Sequence, residues 1–267
     1  MANVGACKCW ALFFRRLASY RRGKLNAMIV ATSTAALAFA FTSVVVAQPT
    51  LKEMSVMTEA DSVDSFRLSG VSLRPSTYLG KAAFEMRMPP SAYQDPTREQ
   101  LSDRDFMAWL PIDFTDGTIE VDVASDLAAD APGFARGFVG ISFRIGAEGS
   151  FESIYLRPTN SDADDEQRRK HVIQYAAYPD FRFYSLREQA PGKYEQPADI
   201  GLGRWIRMKI VVNGTKASLY LDGKEQPAMV VDDLKLGKAQ RGGVGIWLET
   251  GSVVHFRRLR ITEGIRP

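Results

Sequence analysis

The sequence is poor in the residues that carry most covalent and redox chemistry. Only two cysteines occur in 267 residues, and both, Cys7 and Cys9, fall in the first ten. The rest of the chain therefore has no disulfide, no thiolate nucleophile and no cysteine-ligated metal. Histidine is almost as scarce, with only His171 and His255. No helical period lasts beyond a turn or two, which excludes a helical bundle. An excess of charge of one sign is also missing. The formal charge is +3, but six of the 34 Lys and Arg lie in residues 1–47, where there is no acid. Beyond that point 28 basic residues face 31 acidic ones. A weakly acidic chain of this kind is not built to wrap nucleic acid.

One long apolar run exists. Residues 1–24 are basic, and Ala27 to Ala47 carries no charge. Val45-Val46-Ala47 ahead of Gln48 supplies small or aliphatic residues where a signal peptidase reads. This is the layout of a secretory signal with a long basic start. The alternative is an uncleaved anchor, since about 20 apolar residues span a bilayer. Its Ala, Thr and Ser content favours cleavage. Either way the bulk of the chain is expected outside the cytoplasm, secreted or periplasmic, with membrane contact only if the anchor stays. Residues 48–65 read as a leader and 66–267 as one domain.

That domain reads as strands. Ile119, Val121 and Val123 alternate with Glu120 and Asp122, the period of a half-buried strand. Val139, Ile141, Phe143 and Ile145 alternate with Ser142 and Arg144, and Ile154 and Leu156 with Tyr155 and Arg157. Asn213-Gly214 and Asp222-Gly223 between apolar runs mark two hairpin turns of a meander. Residues 91–105 form a long polar loop, and Phe181 to Arg187 reads as a further strand. Turn residues at this spacing predict an all-β fold, one two-sheet antiparallel sandwich of about 200 residues.

The runs that begin at Gly117-Thr-Ile-Glu-Val-Asp-Val, Gly137-Phe-Val-Gly-Ile-Ser-Phe-Arg and Gly243-Val-Gly-Ile-Trp, with Val254-His-Phe-Arg-Arg-Leu-Arg-Ile, resemble the concanavalin A-like lectin/glucanase superfamily. The likeness runs from about Phe66 to Thr262 and is strongest to its laminin-G-like and 3-keto-disaccharide-hydrolase-like bacterial branches. It implies a jelly roll whose concave sheet binds or cleaves carbohydrate, often with a structural calcium nearby. One catalytic pattern of the superfamily is Glu-x-Asp-x-x-Glu, whose two Glu serve as nucleophile and acid/base. Here Glu120-Val-Asp122 is followed by Ser125 where the last carboxyl belongs. No proton donor is then placed for the leaving group.

Adjacent strands would set Arg144, Tyr155 and Arg157 on one polar, aromatic face, suited to holding and stacking on a sugar. Asn160 lies at the strand's mouth, with Gln174 and Tyr175 on the next strand. Between them runs a loop of four acids, three bases and His171. Asp162 and Asp164 are candidate Ca²⁺ ligands through hard oxygens. Arg168 and Arg169 are expected to meet Asp164 and Asp165 in local pairs, each worth under about 1 kcal/mol. The leading expectation is carbohydrate recognition by Arg144, Tyr155, Arg157, Asn160, Arg168, His171, Gln174 and Tyr175. An alternative is a glycan-processing enzyme in which Asp164 or Asp165 works with His171 as acid and base. A third is a structural or adhesive module.

Overall fold

The computed structural model describes residues 57–59 and 62–264. The expected signal or anchor, residues 1–47, lies outside the described residues. Two antiparallel sheets stack as a jelly-roll sandwich.

The larger sheet contains β1 (Met57–Glu59), β3 (Ser72–Tyr78), β4 (Lys81–Arg87), β6 (Gly117–Leu127), β11 (Ile206–Asn213), β12 (Lys216–Leu221), β13 (Met229–Val231) and β15 (Ser252–Glu263). Its order is β13-β12-β11-β6-β15-β4-β3. The first part of β15 pairs with β4 and its last part with β1. The smaller sheet contains β2 (Arg67–Ser69), β5 (Met107–Phe114), β7 (Val139–Ile145), β8 (Phe151–Leu156), β9 (Ile173–Tyr178), β10 (Glu195–Gln196) and β14 (Gly242–Trp247). Its order is β10-β9-β8-β7-β14-β5-β2.

Alternation explains the main core. Ile119, Val121 and Val123 of β6 face Val139, Ile141 and Phe143 of β7 and Ile154 of β8 across the sandwich, all buried. Each such side chain removed from water is worth roughly 1.5–3 kcal/mol. The other side of β6 is polar. There Asp122 is held by Arg207 and Arg258.

The smaller sheet buries its outer face too. Met107, Phe151, Tyr155, Ala176 and Trp247 form a second apolar cluster there, with Phe138 and Tyr178 packed against it. Residues 88–106 and helix α2 (Phe183–Gln189) supply groups to this side. The sequence suggests a strand at 181–187. The structure instead makes a helix from residue 183, which buries Leu186 and turns Phe183 and Arg187 to one side at i, i+4. Phe181 forms only an isolated bridge to Ala177.

The clean alternation of β7 also breaks. Gly243 pairs with Ile145 and Val244 with Phe143, so Arg144 is an extra residue with φ 54°. A bulge of this kind reverses the facing of the residues after it. Ile145 joins the outer cluster, and Arg144 leaves the face that Tyr155 occupies. It is fully buried among turns. Nε donates to Thr115 O at 2.8 Å, Nη1 to Gly237 O at 3.1 Å, and Nη2 to Gly214 O at 2.7 Å and Asp116 Oδ1 at 3.0 Å. The shared face predicted for Arg144, Tyr155 and Arg157 therefore keeps only the last two.

Candidate functional site

A cleft of about 230 Å³ opens on the outer side of the smaller sheet. It is bounded by the 94–103 loop, the 134–138 loop, the end of β8, the short helix α1 (Glu166–Lys170), α2 and the β14–β15 turn. That volume is just below the roughly 300–1,000 Å³ typical of drug-sized ligands. It suits one unit of a chain better than a long ligand.

Its floor is a relay of polar groups. Arg157 follows Leu156 at the end of β8 and is buried. Its Nη2 donates to the Tyr155 phenol at 2.9 Å, and that phenol donates to Asp103 Oδ1 at 2.6 Å. Asp103 Oδ2 accepts from the Phe183 backbone N–H at 2.8 Å. Nη1 of Arg157 donates to Gln174 Oε1 and to Glu195 Oε1. Glu195 also takes Arg187 as an ion-pair partner and lies 3.4 Å from His171 Nε2. Tyr155 fits against β7 because Gly140 stands opposite it. A Cβ at that position would come within 2.4 Å of the Tyr155 Cβ.

Burial sets the electrostatics. It pushes the Asp103 carboxyl up from its ordinary value, against the Tyr155 bond and the Arg157 charge. His171 is held below 6.5, because burial and the charges of Arg187 and Arg157 outweigh Glu195. His171 is therefore neutral at pH 7, and its contact with Glu195 is not an ion pair of full charges. Arg136 is also lowered, by burial first and then by the neighbouring Arg168 and Arg157.

Of the residues expected from sequence, the cleft brings together Arg157, Asn160, Arg168 and His171. Asn160 accepts from Arg168 on Oδ1 and donates to His171 O at 2.9 Å. Tyr155 and Gln174 sit beneath, fully or almost fully buried, and hold Arg157 rather than line the opening. Tyr175 does not join them. One residue on from Gln174 in a strand, it faces the opposite way, into the main core, where its phenol donates to Glu152 and accepts from Lys235 N–H.

The acidic loop is arranged differently from the expectation. Asp165 caps α1, its Oδ1 accepting from Gln167 N–H at 2.8 Å. The Arg168 guanidinium bonds Asn160 and that of Arg169 the carbonyls of Ala163 and Asp164, so neither pairs with Asp164 or Asp165; only the Arg168 backbone N–H reaches Asp165 Oδ1. Asp162 and Asp164 are exposed, and neither they nor Asp165 line the cleft. The carboxylate beside His171 is Glu195. Among the described residues no three His, Cys, Asp or Glu side chains converge as a metal site. Asp162 and Asp164 alone do not fit the six to eight oxygens that calcium takes.

Several cleft residues carry no sequence signal. Asp103 and Glu249 sit in a loop and a turn, and Arg136 ends a small-residue loop. Phe134, Phe138 and Phe183 add half-buried rings.

No family profile and no curated protein matches the chain. Solved structures with similar backbones include a carbohydrate binding module from Bacillus subtilis, 11% identical, TM-score 0.46, covering 73% of this chain and 97% of that one. Another is a Bacillus subtilis protein of unknown function with a galectin-like fold, 13% identical, TM-score 0.45, covering 77% and 92%. A third is domain 4 of an extracellular arabinanase from Geobacillus stearothermophilus in complex with arabinotriose, 12% identical, TM-score 0.39, covering 79% and 82%. At these scores the likeness carries no argument about this chain.

Proposed function

We propose that the chain is an exported, carbohydrate-recognising β-sandwich whose saccharide lies in the cleft above Arg157. The observation that carries this reading is the pairing of fixed planar donors with half-buried rings in one cleft. Arg157, Arg168, Asn160 and His171 stand beside Phe134, Phe138 and Phe183. Sugars offer hydroxyls to such donors and a C–H face to such rings. The Arg157 guanidinium is locked over the Tyr155 and Phe183 rings, 5.1 and 5.3 Å from their centroids. A donor held this way loses little freedom on binding.

Hydrolysis is the second reading, favoured by a buried carboxyl with a raised pKa, Asp103, close to Glu249 in one cleft. The bonding argues against it. Asp103 has a donor on each oxygen, and Glu249 accepts from Arg104, Thr250 N–H and Thr250 Oγ1. A general acid needs its proton free for the leaving group.

The test is a panel of oligosaccharides scored for binding and for released reducing sugar, with wild type and Arg157→Ala. The reading expects binding without release, at least about tenfold weaker in the variant. Sugar release points to the enzyme. Unchanged binding by Arg157→Ala removes the site from this cleft.

A further inference from the structure

The cleft holds more positive charge than it neutralises. Arg136, Arg157, Arg168 and Arg187 all line it. Arg157 and Arg187 share Glu195, and Arg104 behind them is paired with Glu249. Arg136 and Arg168 have no ion-pair partner among the described residues. Arg136 donates through Nη1 to Gly133 O and Ala135 O. Arg168 donates through Nε and Nη2 to Asn160 Oδ1 and Thr159 O. Neither bond answers the charge. Holding guanidinium groups close together and partly out of water without counter-charge is unfavourable.

Apart from one ring nitrogen of neutral His171, the side-chain acceptors of the cleft are spent, while donors are spare. Each acidic group of the cleft is turned to an internal donor: Asp103 to Tyr155 and Phe183 N–H, Glu249 to Arg104 and Thr250, Glu195 to Arg157 and Arg187. The amides follow suit. Asn160 Oδ1 takes Arg168, Gln174 Oε1 takes Arg157, and Gln94 Oε1 takes Ser102 N–H. What the protein still offers is mainly guanidinium N–H: at the rim Nε and Nη2 of Arg136 and Nη1 of Arg168, and beneath them Nε of Arg157 and Nη1 of Arg187, make no bond within the described residues. A neutral hydroxyl both donates and accepts, so such a wall meets half its needs. A carboxylate or sulfate only accepts, and guanidinium bonds to it are about twice as strong as neutral ones.

We infer that the saccharide taken by this cleft is an anionic one, its carboxylate or sulfate group held by Arg136 and Arg168. The inference rests on reading the cleft as a saccharide site and names the class of sugar. Both arginines lie at the rim, one from the loop before β7 and one from α1, while Arg157 is fixed beneath. The rim arginines therefore select the charge, and the floor beneath them orients the ring.

The experiment is calorimetric titration of the full chain with uronic-acid oligosaccharides of several stereochemistries, each beside its methyl ester. Sulfated galactan oligosaccharides beside their desulfated forms make the second arm, and inorganic sulfate is the control. The expected result is that one acidic form binds at least about tenfold tighter than its neutral partner, the worth of one or two charge-assisted bonds. The arm that shows it identifies the anion. In Arg136→Gln/Arg168→Gln that preference falls to within about threefold. Should the double variant fail to fold, the acid-to-ester ratio in wild type decides alone. Equal binding of acid and ester overturns this inference and leaves the saccharide site standing. Binding of inorganic sulfate with no saccharide bound at all overturns both.

Discussion

Tyr155 and Asp103, far apart in sequence, meet beneath the cleft in a 2.6 Å bond from phenol to carboxylate. The same phenol oxygen accepts from Arg157. The phenol thus joins Asp103, a buried carboxyl of the cleft with a raised pKa, to the guanidinium at the centre of the site. Tyr155→Phe keeps the ring against Trp247 and Phe138 and removes only this link. A loss of about 1–3 kcal/mol is expected, because two buried polar groups each lose a partner. Urea unfolding measures it, and saccharide affinity should fall alongside. A change under about 0.5 kcal/mol contradicts the assignment.

Arg144 tests the opposite claim, that a residue can look like a ligand contact and be a brace. Its four bonds tie three turns together from a fully buried position. Arg144→Met leaves three carbonyls short of a donor, so a loss of roughly 3 kcal/mol or more is expected. Affinity per folded molecule should not change. Weaker binding at unchanged stability would return Arg144 to the site.

The two histidines give the pH response. Burial holds both below 6.5, against Glu195 for His171 and against Glu85 for His255. His255 stacks on the Tyr78 ring at 3.9 Å, and its Nδ1 has no hydrogen-bond partner among the described residues. Below 6.5 the unfolded chain takes up protons that the folded chain refuses. The histidines' contribution to stability is then full above 6.5 and falls as pH drops through the window just beneath it. Urea midpoints at pH 7.5 and about 5.5 should show the fall, and replacing both histidines with Asn should flatten it. A rise on acidification that the double variant abolishes would mean a raised histidine, because a rise from the raised carboxyls of Asp103 and Glu152 would persist in it.

Glu195 is the main group that raises the His171 pKa, against burial, Arg187 and Arg157. Glu195→Gln should therefore push His171 lower still. It should also loosen Arg157 and Arg187, which both lean on that carboxylate. Titration of the His171 ring protons by NMR reads the first effect directly. An upward shift would show that His171 does not face Glu195 in solution.

Much of the fold is written in local pattern. The alternation at Ile119, Val121 and Val123 requires one apolar face, and those residues are buried. Asp222 and Gly223 form the tight turn expected of them, both at positive φ, with Lys224 N–H closing on Leu221 O. Near Asn213 the turn falls one residue later. Asn213 pairs with Lys216 inside the ladder, and Gly214 alone takes positive φ.

What local pattern misses is long-range. Nothing near Arg144 in sequence announces the bulge, and the acceptors its side chain meets lie in three distant turns. Phe183 and Arg187 fit strand or helix by themselves, and the contact with the outer face of the smaller sheet decides. Arg157, Asn160, Arg168 and His171 were legible since they flank one strand-loop-strand unit. Asp103, Arg136 and Glu249 reach the same cleft from separate loops. Tyr175 shows the limit from the other side, since the strand period that singles out Gln174 turns its neighbour into the core.

The central claim is one of place: ligand sits on the outer side of the smaller sheet. Amide hydrogen exchange of the full chain, with and without the tightest-binding saccharide, tests it most directly. Slower exchange is expected in residues 101–103, 134–138, 168–171 and 249–250, where the cleft walls meet. Slower exchange around Lys81, Trp205 and Arg207 instead, in the shallow groove of the larger sheet, would contradict it.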